Sequence, residues 1–290
     1  MGRVCTDLMR VPWSSVILWT ELQLAGPLGS GGFGSVFRAE YLGQSVALKR
    51  VNKSTKNRAA SRRSFWAELN AAHLRHRNIV RVLAASTCVP ADPWHEGSLG
   101  GVLMELLRYA TDVTHGLRFL HAHGVLHLDI KPANLLLSRD QAVKIADFGC
   151  SLKLEPGCEA TGSPLHLGGT FTHRAPELLR GESASAKADV FSFAITLWQL
   201  LTREQPYVGD RQHVIYAVVA HELRPQIQGH ETFSGARGSV YSALLSRCWS
   251  ARPEDRPSSE ELFTPLILTD CSVTFSQMFN TQEYTLYRWF

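Results

Sequence analysis

The sequence predicts an α+β chain in two parts, strands first and helices after. Three observations carry that reading. Residues 22–51 alternate apolar and polar side chains and are punctuated by glycines. A helical pattern and two further strand-like runs follow, and from Arg108 onward apolar residues recur mostly at helical spacing. With 290 residues, 44% apolar and 19% charged, the chain has the composition of a globular protein with a sizeable core.

In "LQLAGPLGSGGFGSVFRAEYLGQSVALKRV" (Leu22 to Val51) the Leu42–Gly43–Gln44 step reads as the turn of a hairpin. A helix is predicted over 59–74, where Phe65, Leu69, Ala72 and Leu74 give an imperfect apolar face. "NIVRVLAAS" (78–86) and "LGGVLMEL" (99–106) read as two more strands. Helices are then predicted over 109–122, 186–202, 210–221 and 238–248. The boundary falls at Glu105–Leu107, giving a β-rich lobe (21–107) and a helical lobe (108–264), with an extension before (1–20) and a divergent tail after (265–290). No repeat or low-complexity linker interrupts them.

A net charge of +4 is too modest to call for nucleic acid. The densest basic run, Lys49 to Ser64, reads as a solvated strand end, turn and helix face. Six scattered cysteines without C-x-x-C spacing fit reduced thiols in a cytoplasmic protein. No apolar run reaches the ~18 residues that a bilayer span requires. Gly2 and Thr6 meet the short N-myristoylation pattern, but so permissive a match does not carry an anchor by itself. A monomer is expected.

Several short motifs point to phosphate chemistry. Gly29, Gly31 and Gly34 in "GSGGFGSV", with Ser30, Gly32, Phe33 and Val36, make a G-x-G-x-x-G run whose backbone can approach phosphates closely. A dinucleotide-binding turn is the rival reading. It needs a helix after the glycines, and a hairpin follows here instead, which favours a flap over ATP. "VALK" sets Ala47 and Lys49 on an apolar strand. A buried cation there needs a carboxylate partner, and Glu68 in "FWAELN" is the candidate; alone it would read as a surface i,i+4 partner. In "HLDIKPAN", Asp129 would accept a hydroxyl proton, Lys131 would sit beside a transferring phosphate, and Asn134 would hold a metal ion. Asp147 of "IADFG" is the second Mg²⁺ ligand, and "APE" (Ala175 to Glu177) follows in order. His127 and Phe148 read as packing residues and Asp189 as a cap on backbone amides. Cys150 reads as a small buried filler.

Six ordered motifs over roughly 20–262 resemble the eukaryotic protein kinases. Lys131 and "GGTFTHRAPE" resemble the serine/threonine type. The resemblance implies the bilobal protein-kinase fold, transfer of the ATP γ-phosphate to a protein hydroxyl, and a monomeric enzyme with Mg²⁺. It also implies adenine contacts from Met104, Glu105 and Leu107, a pocket floor at Leu136, Thr170 bracing the loop near Asp129 and Lys131, and a structural ion pair of Arg256 with Glu177. Longer non-catalytic stretches such as "RQHVIYAVVAHELRP" are similar to one germ-cell branch of that family. That similarity implies a cytoplasmic kinase that phosphorylates a MAP-kinase kinase on serine, driving the MAP-kinase cascade in oocyte meiosis.

Two departures stand out. Leu128 occupies the place of the usual arginine before the catalytic aspartate, so activation-segment phosphorylation, for example at Ser151, Thr161 or Ser163, is not expected to be required. In addition, Leu107 runs almost directly into the next helix, where the family has a short helix and a loop. This second departure supports an alternative reading: a catalytically impaired, kinase-shaped binding or scaffold protein.

Overall fold

Hairpin pairing organises the first part of the chain. β1 (Leu22–Gly31), β2 (Gly34–Tyr41), β3 (Gln44–Asn52), β4 (Val82–Ser86) and β5 (Ser98–Met104) form one antiparallel sheet in the order β1-β2-β3-β5-β4. The computed structural model describes residues 17, 19–31, 34–52, 58–86, 98–104, 110–137, 142–154 and 170–262. They fall into two compact units, Met1–Arg75 with Val80–Leu106, and His76–Ile79 with Leu107–Phe290. The expected turn is a two-residue link between β2 and β3. Leu42 (φ 50°) and Gly43 (φ 74°) both take positive φ, the geometry that matches the right-handed twist of paired strands. Ile17, Ala39, Tyr41, Val46, Leu48 and Ala84 form a core cluster of this unit. Helix α1 (Arg58–Ala71) buries Phe65, Glu68 and Ala71. It stops three residues before the predicted end, in a tightened turn that continues to Leu74.

The strand predicted over 78–86 is shorter than its apolar run. Only Val82–Ser86 joins the sheet. Asn78 belongs to the second unit, where its side chain donates to the Val143 carbonyl (3.0 Å) and its carbonyl accepts from Ile145 N–H (2.9 Å). Tertiary hydrogen bonds override local β propensity there.

The second unit carries α2 (Ala110–Ala122), β6 (Val125–Leu126), β7 (Leu135–Leu137), β8 (Val143–Ile145), β9 (Leu152–Lys153), α3 (Pro176–Leu179), α4 (Ala186–Thr202), α5 (Arg211–Ala220) and α6 (Gly235–Cys248). Helix α4 is apolar nearly all round and therefore central, with Phe191, Leu197 and Trp198 fully buried as predicted. Ser185 caps its start by accepting from Lys187 N–H, and Arg203 at φ 63° ends it. Helix α6 begins three residues before the predicted start. Gly238, the first residue of the predicted helix, lies where a Cβ would fall 2.2 Å from the Phe233 carbonyl carbon. The glycine serves a close backbone approach inside the helix. Among the described residues no helix is long and apolar enough to cross a membrane.

Candidate active site

In the first unit, Lys49 sits on β3 between Val36 of β2 and Val102 of β5. It is 5% exposed, and its Nζ forms an ion pair with Glu68 of α1, itself 1% exposed. A surface role for Glu68 is thereby excluded. Two charges taken out of water cost several kcal/mol each, a cost that this pairing offsets. Gly29, Ser30, Gly31 and Gly34 lie at the β1–β2 end, with Gly29 opposite Val36 and Gly31 opposite Gly34; Gly32 and Phe33 fall outside the described residues. Ala47 is buried and pairs with Met104 at the end of β5. Glu105 and Leu107 lie outside the described residues.

In the second unit, a 3₁₀ turn over Pro132–Asn134 folds the loop back on itself. Proline presets φ, and Asn134 N–H donates to the Lys131 carbonyl at 3.0 Å. The turn brings three of the predicted side chains together. Asp129 Oδ2 accepts from Lys131 Nζ (2.8 Å) and from Asn134 Nδ2 (3.0 Å), and Asn134 Nδ2 also reaches the Asp129 carbonyl (2.8 Å). Thr170 joins them, accepting from Lys131 Nζ at 2.8 Å and donating its N–H to Asp129 Oδ1 at 3.3 Å. Asp129 is only 6% exposed and fully oriented.

Behind this loop lies a buried frame. Asp189 of α4 accepts from the N–H groups of His127 (2.9 Å) and Leu128 (2.7 Å), and its Oδ2 also meets His121 Nε2 at 2.9 Å. Burial alone would raise the Asp189 pKa; the His121 hydrogen bond and nearby imidazoles outweigh it and hold the carboxyl below its ordinary value. Asp189 does cap amides, but those of a loop 61 and 62 residues away rather than of its own helix. These bonds hold Leu128 at φ 63°, a left-handed conformation that costs a leucine about 1–2 kcal/mol. His127 Nδ1 accepts from Asp129 N–H at 3.3 Å, so Nε2 carries the proton and donates to the Ala146 carbonyl at 2.9 Å. Ala146 N–H in turn donates to the Asn134 carbonyl at 2.9 Å. One residue, through both its N–H and its carbonyl, thus ties the loop to the chain entering Asp147, and His127 packs edge-on against Phe148. The sequence carried no signal for His121 or Ala146 in these roles, because their partners are distant in the chain.

Asn134 and Asp147 are oxygen donors next to the β7–β8 pair, where Leu135 faces Ile145; Leu136, one residue on, faces Lys144. With its amide nitrogen engaged by Asp129, Asn134 has a carbonyl oxygen to offer a hard cation. Mg²⁺ typically takes one or two such ligands plus phosphate oxygens, so the pair fits. Among the described residues no cluster of three His, Cys, Asp or Glu forms a complete metal cage. Cys150 is buried and its thiol pKa is raised to about 12, chiefly by burial, as a packing residue requires. Arg256 makes the expected bidentate pair with Glu177, at 2.7 and 2.8 Å.

A sheet-bound lysine paired to a helical glutamate, together with an Asp–Lys–Asn–Thr loop, defines a phosphotransferase of the kinase class. The protein kinase domain model matches residues 22–265, and the chain belongs to that family. Within it the chain is a Mos-like serine/threonine protein kinase. It is 50% identical over 285 positions to the serine/threonine-protein kinase mos of Xenopus laevis, spanning 89% of this chain and 78% of that one. It is 47% identical over 284 positions to the proto-oncogene serine/threonine-protein kinase mos of Mus musculus, spanning 87% and 82%. The transforming protein mos of Moloney murine sarcoma virus (strain HT-1) is likewise 47% identical, over 87% and 75%. The alignment to the Gallus gallus kinase runs over 291 positions, more than this chain contains, so it is gapped. ATP-dependent protein phosphorylation is the activity of the class. The scaffold alternative is not favoured.

Proposed function

We propose that Asp129 orients the attacking protein hydroxyl and accepts its proton, with Lys131 beside the transferring phosphate and Thr170 fixing both. The observation that carries this is the closed set of bonds among Asp129, Lys131, Asn134 and Thr170. Lys49, held by Glu68, reaches the ATP α- and β-phosphates, the glycine run from Gly29 to Gly34 and Val36 covers them, and Ala47, Met104, Glu105, Leu107 and Leu136 receive the adenine. Asn134 and Asp147 hold Mg²⁺, which when bound neutralises phosphate charge.

The substrate we infer is a serine of a MAP-kinase kinase, phosphorylated in the cytoplasm by a monomeric enzyme during oocyte meiosis. Similarity to the Mos kinases supports that reading. Leu128 cannot form the charge-assisted contact that an arginine makes to a phosphate, so activity does not depend on a phosphorylated activation segment. The test is transfer of labelled γ-phosphate to an inactive MAP-kinase kinase. Transfer is expected from the wild-type chain, unchanged after phosphatase treatment, and lost in Lys49→Met. Transfer equal in Lys49→Met would sink the assignment of the machinery, and a large drop after phosphatase would sink the role given to Leu128.

A further inference from the structure

Ser259 takes no part in the machinery above, yet a line of hydrogen bonds runs from it to the Asp129 loop. It lies three residues past Arg256, in the turn over 259–262. Its Oγ meets Nδ1 of His121, near the end of α2, at 2.9 Å. The opposite ring nitrogen, Nε2, meets Asp189 Oδ2 at 2.9 Å. That oxygen also accepts from His127 N–H at 2.9 Å, while Asp189 Oδ1 accepts from Leu128 N–H at 2.7 Å. Ser259 and Asp189 are buried and the His121 side chain is 9% exposed, so water does little to replace any of these bonds.

The proton positions follow from the partners. The Asp189 carboxyl is held below its ordinary value and is an acceptor only, so His121 Nε2 carries a proton. In the neutral ring Nδ1 then has a lone pair, and the Ser259 hydroxyl donates to it. Hydroxyl, imidazole and carboxylate stand in the order of a nucleophilic triad. A buried serine meets no substrate, however, so this line holds and does not attack. At its far end is Leu128 at φ 63°, immediately before Asp129. Helix α4 also reaches the loop after Asp129, but there the Thr196 hydroxyl is shared between the Ser192 carbonyl (2.8 Å) and the Ile130 carbonyl (3.3 Å). The tighter grip is on the Leu128 side. An imidazole held at one nitrogen can tilt, and Ser259 anchors the second.

We propose that Ser259 is a positioning residue for phosphoryl transfer. By donating to His121 Nδ1 it pins the imidazole, and through Asp189 it holds the Leu128 step that aims Asp129 at the substrate hydroxyl. This role rests on Asp129 being the residue that receives the hydroxyl proton.

The experiment uses the full chain with ATP and an inactive MAP-kinase kinase. Ser259→Ala is expected to lower kcat about three- to tenfold, the worth of one buried neutral hydrogen bond, with KM for both substrates unchanged. Ser259→Thr, which keeps the hydroxyl, should restore most of kcat. Glu260 ties the same turn to Arg118 of α2 at 2.8 Å, closer to solvent. Glu260→Ala therefore loosens the turn without touching the line, and should leave kcat as it was. An equal fall in Glu260→Ala, or an unchanged kcat in Ser259→Ala, overturns the proposal. Nitrogen-15 spectra of the histidine rings at about pH 8, where an ordinary imidazole is neutral, give a readout that a merely structural role does not move. The His121 signals, identified by their loss in His121→Gln, should show a protonated Nε2 and an Nδ1 that accepts a hydrogen bond. In Ser259→Ala the Nδ1 signal should move toward that of a free lone pair. A protonated Nδ1 in the wild-type chain, or an Nδ1 signal unmoved in Ser259→Ala, also overturns the proposal. No transfer by the wild-type chain above the Lys49→Met background would overturn the reading of Asp129 instead, and the Nδ1 signal would still decide whether Ser259 pins the ring.

Discussion

His173 shows how one buried side chain sets a pH response. Its Nε2 meets Gln199 Oε1 at 2.9 Å and its Nδ1 meets Thr172 Oγ1 at 3.0 Å, so the ring is held neutral within the loop that borders Asp129. Burial lowers its pKa from 6.5 to about 4, against the Gln199 hydrogen bond and the Asp129 charge that favour the proton. An unfolded chain takes up that proton below pH 6.5, and the folded chain only near 4. The contribution to stability is therefore complete above 6.5 and lost as pH falls toward 4. The loss is on the order of 3 kcal/mol over the window, at roughly 1.4 kcal/mol per pH unit for a one-proton slope. Denaturant titrations of wild type and His173→Gln at several pH values between 4 and 6.5 should show a shallower slope in the variant. Equal slopes would refute it. Residue chemistry at short spacing was legible: Asp129, Lys131 and Asn134 lie within five positions, and a proline between them forces the turn. What was not legible is which distant group each residue meets. Asp189 read as a cap on amides, but no local pattern ties it to Leu128 or to His121.

At the scale of elements, the packing of α2 against β8 turns on a single small residue. A Cβ on Gly116 would lie 2.8 Å from Ile145 Cδ1 and 3.0 Å from the Asn78 carbonyl. In an exposed helix Gly→Ala stabilises by about 1 kcal/mol. Here the added methyl pushes on a backbone carbonyl that already accepts from Ile145 N–H, and overpacking costs about 1–3 kcal/mol. Gly116→Ala is expected to lower the thermal midpoint by a few degrees, and an unchanged or raised midpoint would show that the strand yields. The same contact explains the misread strand. Residues 78–81 have β-like composition, but Asn78 and Ile79 dock on β8 rather than extending β4. Periodicity reported the elements well where a helix or hairpin was closed by its own neighbours, as in α4 and the β2–β3 turn. It failed at ends set by other elements, as at Gly238 beneath Phe233.

Across the molecule, among the described residues, each unit contains a fully buried charge pair, Lys49 with Glu68 in the first and Arg256 with Glu177 in the second. The second pair reaches further. Arg256 also donates to the carbonyls of Ser250 (2.8 Å), Ala251 (3.2 Å) and Lys187 (3.1 Å), so α3, α4 and the segment after α6 share one guanidinium. Breaking one partner of such a pair costs about 3–5 kcal/mol, because the other is left charged and buried. The identity of the pair was expected from the resemblance to protein kinases, whereas its extra carbonyl contacts arise only when three segments converge.

The two buried thiols among the described residues have a use as timekeepers. Cys150 lies beside the Asp129 loop and Cys248 ends α6, and burial raises both to about 12. An alkylating reagent attacks thiolate, which these sites barely populate at neutral pH, so labelling must wait until the surroundings open. Site-resolved labelling rates, followed by mass spectrometry, would then report whether the loop and the helix open together or separately. Equal rates, both falling with added stability, would mean one cooperative unit. Labelling of Cys150 at the rate of an exposed thiol in the native protein would contradict its burial.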